Sequence, residues 1–322
     1  MKDAMSPAPQ AMLPTQNVGY VDLQINGLMG VDFNAATVSD ADWELASQAL
    51  GKDGTTHVLP TIITDSIPAL ETKLRHWAHR CDRIDTAVRV MGIHLEGPFI
   101  SAVPGFVGAH PPQHTRTVDM PQLQRLMEAA EGHLRMVTLA PECDPNGLAT
   151  RFLADRGVLV AAGHTDATLD QLKRTIDCGL SLFTHLGNAC PSQLARHDNI
   201  LHRALSLRDS LRYTLIADGH HVPPWLLKSW IDWIGCERVA IVSDAISAAG
   251  LPAGSYRLGD RVVDVGGDGV PRSQDRSHFV GSGATLGVMD RWLQTTDWFS
   301  PAQRRQLLSS NALQWLGQNP SW

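Results

Sequence analysis

The chain has 322 residues, with 27 Lys and Arg against 33 Asp and Glu, a formal charge of −6. Its 43% of hydrophobic residues can fill a large core, which excludes a mainly disordered chain. The acidic balance, without any Lys/Arg block, excludes a general nucleic-acid binder, and no apolar run is long enough for a membrane span. Five scattered cysteines, never in a C-x-x-C pair, argue against a disulfide scaffold or zinc ribbon and suit a reducing cytoplasm. Residues 1–17 are rich in Pro, Ala and Gln and lack an apolar signal core, so a disordered or extended segment is expected there.

From residue 18 onward, strand-length apolar runs alternate with helical patterns. Val18–Ile25 is the first expected strand. Ser39–Lys52 follows as a helix, with Ser39 as N-cap and Gly54 just past its end. Thr56–Ile63 and Val88–Leu95 are the next strands, separated by a helix over Pro68–Cys81. A helix over Pro121–Glu131 precedes strands at Arg135–Leu139, Val158–Ala162, Leu180–His185, Leu211–Ala217 and Arg238–Ser243, with helical patterns over 144–156, 168–178, 200–209 and 223–234 between them. The runs are apolar throughout, as in parallel strands buried on both faces. Eight such units predict a (β/α)₈ TIM barrel, with a doubly wound sheet as the alternative. Residues 250–283, rich in Gly and Asp, contain the alternating run Arg261–Val265 and are expected to form a small hairpin insertion before helices over 286–296 and 301–316.

Reactive residues of a parallel barrel lie at the C-terminal ends of its strands. There the chain places Gln24 and Asn26, Glu96, Glu142, His164 and Asp166, His185 and Asn188, Asp218 with His220 and His221, and Asp244. A carboxylate and two imidazoles suit a divalent transition metal with a position left open for water, and a further carboxylate suits a general base. Taken singly, each has a plainer reading: a strand-end His as a hydrogen-bonded packing residue, Asp244 as a helix N-cap, Glu96 as part of a turn. Their recurrence on one expected rim is what points to a metal hydrolase.

Eight segments, in order, resemble the N-acetylglucosamine-6-phosphate deacetylases of the amidohydrolase superfamily: Gly19–Gly27, His94–Ser101, Gly108–Pro111, Leu139–Glu142, Ala162–Ala167, Thr184–Ala189, Ala217–Val222 and Val242–Ala245. The resemblance implies a metal-dependent barrel enzyme releasing acetate from a sugar 6-phosphate. It implies Glu96, His164 and His185 as metal ligands, Asp244 as general base and His110 as the group polarising the amide carbonyl. Asn188, Ala189 and His221 would contact the sugar phosphate. Arg196 would bind the phosphate across a homodimer interface, as a planar fork suits phosphate oxygens. Gln24-Ile25-Asn26 stands where two-metal relatives carry His-x-His, so one ion is expected, zinc with iron as the alternative.

The chain departs from the family pattern at Val107, Gly187 and Cys190, all in substrate-facing loops. N-acetylgalactosamine 6-phosphate therefore stands as an alternative substrate. Another cyclic-amide amidohydrolase and a non-catalytic binding barrel are further readings. Length alone suggests about two domains, though barrels of about 250 residues are an exception. The first strand begins near residue 18 and a last-helix motif, Asn311–Gly317, ends near Trp322. A single barrel domain over 18–322, without the family's flanking β-sandwich, is therefore expected.

Overall fold

In the computed structural model, Ser39 accepts a hydrogen bond from the Asp42 amide and starts α1 (Asp40–Lys52), with Asp40 and Asp42 set against its positive end. Its apolar stripe buries Trp43, Ala46 and Leu50. Trp43 meets Trp77 of α2 (Ile67–Cys81) and Phe33 at centroid distances of 5.5 and 5.7 Å, which packs both helices against the turn that follows the first strand. The structure describes residues 19–318 except 82, 84, 85, 259, 260 and 277. The segment expected over 1–17 lies outside the described residues.

The uniformly apolar runs form the eight strands that pattern predicts: β1 (Tyr20–Ile25), β2 (Thr55–Ile63), β3 (Ile93–Glu96), β4 (Leu134–Leu139), β5 (Leu159–Ala162), β6 (Leu182–Phe183), β7 (Arg212–Leu215) and β8 (Val239–Ile241). Each pairs in parallel with the next. Between them lie α3 (Met120–Ala129), α4 (Leu148–Ala154), α5 (Leu169–Asp177), α6 (Ile200–Ser206) and α7 (Pro224–Ile234), with α8 (Leu286–Thr295) after the last strand. The run expected over Val88–Leu95 is broken, because Gly92 takes φ +148° and separates a two-residue piece, Arg89–Val90, from β3. The strand expected over Leu180–His185 shrinks to two residues, its polar end turning into the rim.

The seam between β8 and β1 closes with few bonds. The Asp244 amide donates to the Gln24 carbonyl at 2.9 Å and the Asn26 amide to the Ala245 carbonyl at 2.7 Å. The buried Asp22 carboxylate supplies a third link, its Oδ1 accepting from the amides of Ser243 (3.1 Å) and Gln24 (3.2 Å). The (β/α)₈ reading therefore holds, and the doubly wound alternative falls at this closure. The insertion carries one strand more than a hairpin: β9 (Gly254–Leu258), β10 (Arg261–Val265) and β11 (Pro271–Ser273) form a three-stranded antiparallel sheet. No helix among the described residues is long and apolar enough to cross a membrane.

Asp22 carries a testable pH dependence. Burial pushes its pKa up to about 7, against the amide bonds that oppose the rise. The folded chain thus holds a proton that the unfolded chain has released, so this stabilisation is full below about pH 4 and is lost as pH rises through 7. Asp22→Asn keeps an acceptor oxygen but cannot ionise. Its urea stability relative to wild type is expected to rise by about 2 kcal/mol between pH 5 and pH 8. A difference independent of pH would show that Asp22 stays ionised in the folded protein.

Candidate active site

Three strand ends turn through left-handed backbone at the rim, at His164 (φ +52°), His185 (φ +31°) and Asp244 (φ +48°). Side chains disfavour this geometry, so its concentration at one face marks a place where the surroundings impose direction on side chains. Gly163, just before His164, has no room for a Cβ, which would come within 2.4 Å of the Thr184 methyl.

These turns aim His164 and His185 at Glu96, the last residue of β3. Glu96 Oε1 lies 3.0 Å from His185 Nε2 and 3.3 Å from His164 Nε2, and the three candidate donor atoms fall within 4.8 Å of one another. All three residues are buried. Burial alone would raise the Glu96 pKa, but the surrounding imidazoles hold it well below the usual carboxylate value. His164 Nδ1 lies 3.0 Å from the Phe106 carbonyl, which only accepts. That contact leaves Nε2 as the ring nitrogen turned toward the carboxylate, the atom free to ligate an ion held between them. The donor set and its crowding fit a divalent ion.

Asp244 stands beside this group. Its Oδ1 accepts from Asn26 Nδ2 at 2.7 Å and Gln24 Nε2 at 3.3 Å, and Gln24 Nε2 also lies 2.9 Å from Glu96 Oε1. Burial, then the Glu96 charge, push the Asp244 pKa up to about 6. Asp244 starts no helix in the structure, so the N-cap reading does not apply. His110 closes the other side, its Nε2 3.7 Å from Glu96 Oε2. His110 Nδ1 accepts from the Thr64 amide at 3.3 Å, leaving the ring proton on Nε2. Burial, with His164 alongside, depresses its pKa to about 4, so His110 is neutral.

His221 is fixed by Asp218, whose Oδ2 lies 2.7 Å from His221 Nδ1 and also accepts from Ser282 Oγ at 3.2 Å. Burial opposes the Asp218 charge, but the His221 contacts outweigh it and lower its pKa to about 2. Phe279, carried back from the insertion, lies 5.1 Å from the His221 ring. Asn188 donates through Nδ2 to the His185 carbonyl at 3.1 Å, and Ala189 follows at φ +51°. A Cβ built on Gly108 would lie 3.7 Å from the Ala189 Cβ and 3.2 Å from His164 Cε1, so the loops after β3 and β6 converge over the site. Arg196 is exposed and makes no hydrogen bond or ion pair among the described residues.

Sequence reading missed the supports. Thr64, which orients His110, sits at the C-terminal end of β2. Asp218 and Glu142 lie at strand ends named above but without a role. The Phe106 carbonyl carries no side-chain signal.

No protein-family model matches the chain. It is 31% identical over 300 residues to the N-acetylgalactosamine-6-phosphate deacetylase of Escherichia coli O157:H7, covering 92% of this chain and 77% of that protein. The solved N-acetyl-D-glucosamine-6-phosphate deacetylase of Mycobacterium smegmatis, an Asp-to-Ala mutant in complex with N-acetyl-D-glucosamine-6-phosphate, superposes with a TM-score of 0.84 at 30% identity over 98% of this chain and 82% of that one. This chain belongs to the N-acetylglucosamine-6-phosphate deacetylase family of the amidohydrolase superfamily. The Bacillus subtilis N-acetylglucosamine-6-phosphate deacetylase is 33% identical over 269 residues, and the chain spans 66% of its length. Deacetylases of this superfamily are metal-dependent, in keeping with the Glu96–His164–His185 group.

Proposed function

We propose that the barrel, one domain over residues 18–322, hydrolyses N-acetylglucosamine 6-phosphate to glucosamine 6-phosphate and acetate. The observation that carries this reading is the convergence of Glu96, His164 and His185 with an adjacent carboxylate, Asp244, and a neutral imidazole, His110. Glu96, His164 and His185 hold one divalent ion, zinc by the two-nitrogen, one-oxygen donor set, with iron as the alternative. Bound there, the ion supplies Lewis acidity and makes a water easier to ionise near neutral pH.

Asp244 takes the proton of the attacking water on Oδ2, since Asn26 and Gln24 engage Oδ1, and returns it to the leaving amine. His110 donates its Nε2 proton in a hydrogen bond to the amide oxygen as negative charge gathers there. Asp218 keeps the His221 ring oriented toward the sugar, and Asn188 and the Ala189 backbone border it. Arg196 meets the phosphate of a partner subunit's substrate, which its exposure supports, and makes the enzyme a homodimer. The scattered cysteines support a cytoplasmic setting. N-acetylgalactosamine 6-phosphate is the second substrate reading, favoured by the Escherichia coli relative.

Acetate release from both sugar phosphates and from unphosphorylated N-acetylglucosamine tests the reading. Arg196→Ala is expected to raise KM for the phosphorylated substrate about ten- to hundredfold, the worth of one charge-assisted hydrogen bond, and to leave the unphosphorylated sugar unaffected. Mixing Arg196→Ala with Asp244→Asn subunits should restore low-substrate activity if the arginine is shared. Equal turnover with and without phosphate removes this role for Arg196. No turnover by metal-loaded protein supports the binding barrel instead.

A further inference from the structure

Glu142 ends the Leu139–Glu142 segment and has no task in the chemistry above. It lies in a single turn, Pro141–Cys143, that follows β4. Its carboxylate reaches across to the next strand end. Oε2 accepts from the Thr165 hydroxyl, and Oε1 accepts from the Asp166 amide at 2.9 Å. Thr165 is buried and passes the constraint on, its hydroxyl oxygen accepting from the Ala167 amide at 2.9 Å. These are the residues that immediately follow His164, whose backbone is left-handed at φ +52°.

A histidine in that conformation is disfavoured by about 1 kcal/mol or more, so its neighbours must impose it. On the N-terminal side, the Gly163 amide donates to the Leu139 carbonyl at 3.2 Å, and the close Thr184 and Thr138 methyls admit only glycine there. On the C-terminal side, Arg203 of α6 holds Asp166 Oδ1 at 2.9 Å and the Asp166 and Ala167 carbonyls at 3.3 and 3.2 Å, but reaches neither the Thr165 hydroxyl nor the Asp166 amide. Glu142 alone among the described side chains bonds the Thr165 hydroxyl and the Asp166 amide. Glu142 thus supplies the side-chain hold on the two residues after His164, beside the bond from the Ser101 amide to the His164 carbonyl at 3.0 Å and the contact of His164 Nδ1 with the Phe106 carbonyl.

We propose that Glu142 is a positioning residue for His164, its carboxylate clamping Thr165 and Asp166 so that His164 Nε2 stays aimed at Glu96 and His185. The proposal rests on the reading of His164 as a metal ligand. Outer supports of this kind commonly change metal affinity by about ten- to hundredfold.

The test is zinc affinity of the full chain by chelator competition, read without any activity measurement. Glu142→Ala should weaken zinc binding about ten- to hundredfold. Glu142→Gln should stay within about threefold of wild type, because its amide oxygen accepts the Asp166 N–H while its NH₂ donates to the Thr165 oxygen. Thr165→Val removes the hydroxyl alone and should weaken binding in the same direction by less; it carries the test if Glu142→Ala does not fold. His164→Ala serves as the reference for losing a ligand. Wild-type affinity in Glu142→Ala or Thr165→Val beside a loss in His164→Ala overturns the clamp alone. Equal losses in the Gln and Ala variants of Glu142 also overturn it, since charge rather than hydrogen bonding would then matter. Wild-type affinity in His164→Ala overturns the ligand reading itself.

Discussion

Asp244→Asn is expected to lower kcat by about a thousandfold or more while leaving zinc content and KM close to wild type. The side chain keeps its size, so the bonds from Asn26 and Gln24 to its oxygen survive with the amide suitably turned. What it loses is the ability to take a proton. General acid–base groups are commonly worth about a hundred- to ten-thousandfold, and Asp244 is proposed to act twice, on the water and on the leaving amine. The upper part of that range is therefore expected. Steady-state acetate release with parallel metal analysis measures it. A loss below tenfold would assign the proton transfers to another group, and a parallel loss of zinc would make Asp244 a ligand rather than a base.

Removing the metal should have a comparable effect by a different route. Chelation is expected to abolish acetate release to below about a thousandth, and one equivalent of zinc per subunit should restore it. Glu96→Gln should reproduce the defect without a chelator, because a neutral amide is a poor zinc ligand and Glu96 Oε1 is the atom nearest both imidazoles. The stoichiometry follows from β1. Gln24 and Asn26 point neutral amides at Asp244, and Gln24 also meets Glu96, so the space beside Asp244 carries hydrogen-bond donors where a second ion would need ligands. Metal analysis giving two ions per subunit, both required for activity, would refute the single-ion reading.

The barrel was legible because its signal is local. A strand buried on both faces must be apolar throughout, and runs such as Leu159–Ala162 show this in any context. The helix start at Ser39 was equally readable, because its side-chain oxygen answers an otherwise unpaired amide a few residues on. Boundaries at the rim were not. Pattern extends the sixth strand to His185, but the ladder stops at Phe183 because the following residues bend inward for the site.

The candidate ligands could be named from their positions at strand ends, and the structure brings Glu96, His164 and His185 together. Their supports could not. Thr64 and His110 are 46 residues apart, Asp218 and Ser282 are 64 apart, and both pairs meet only in the folded rim. No periodicity relates such residues.

By itself, then, the sequence determined the order of strands and helices and the residue types at each strand end, because burial and capping act over a few neighbouring positions. Only the tertiary structure decided which atoms face one another. The left-handed turns at His164, His185 and Asp244, the proton on His110 Nε2 and the clamp from Glu142 all depend on contacts between different strand ends. Neighbouring strands supply some of these contacts, as Glu142 to Thr165 and Thr64 to His110, while those of Asp244 with Gln24 and Asn26 exist only across the closed β8–β1 seam.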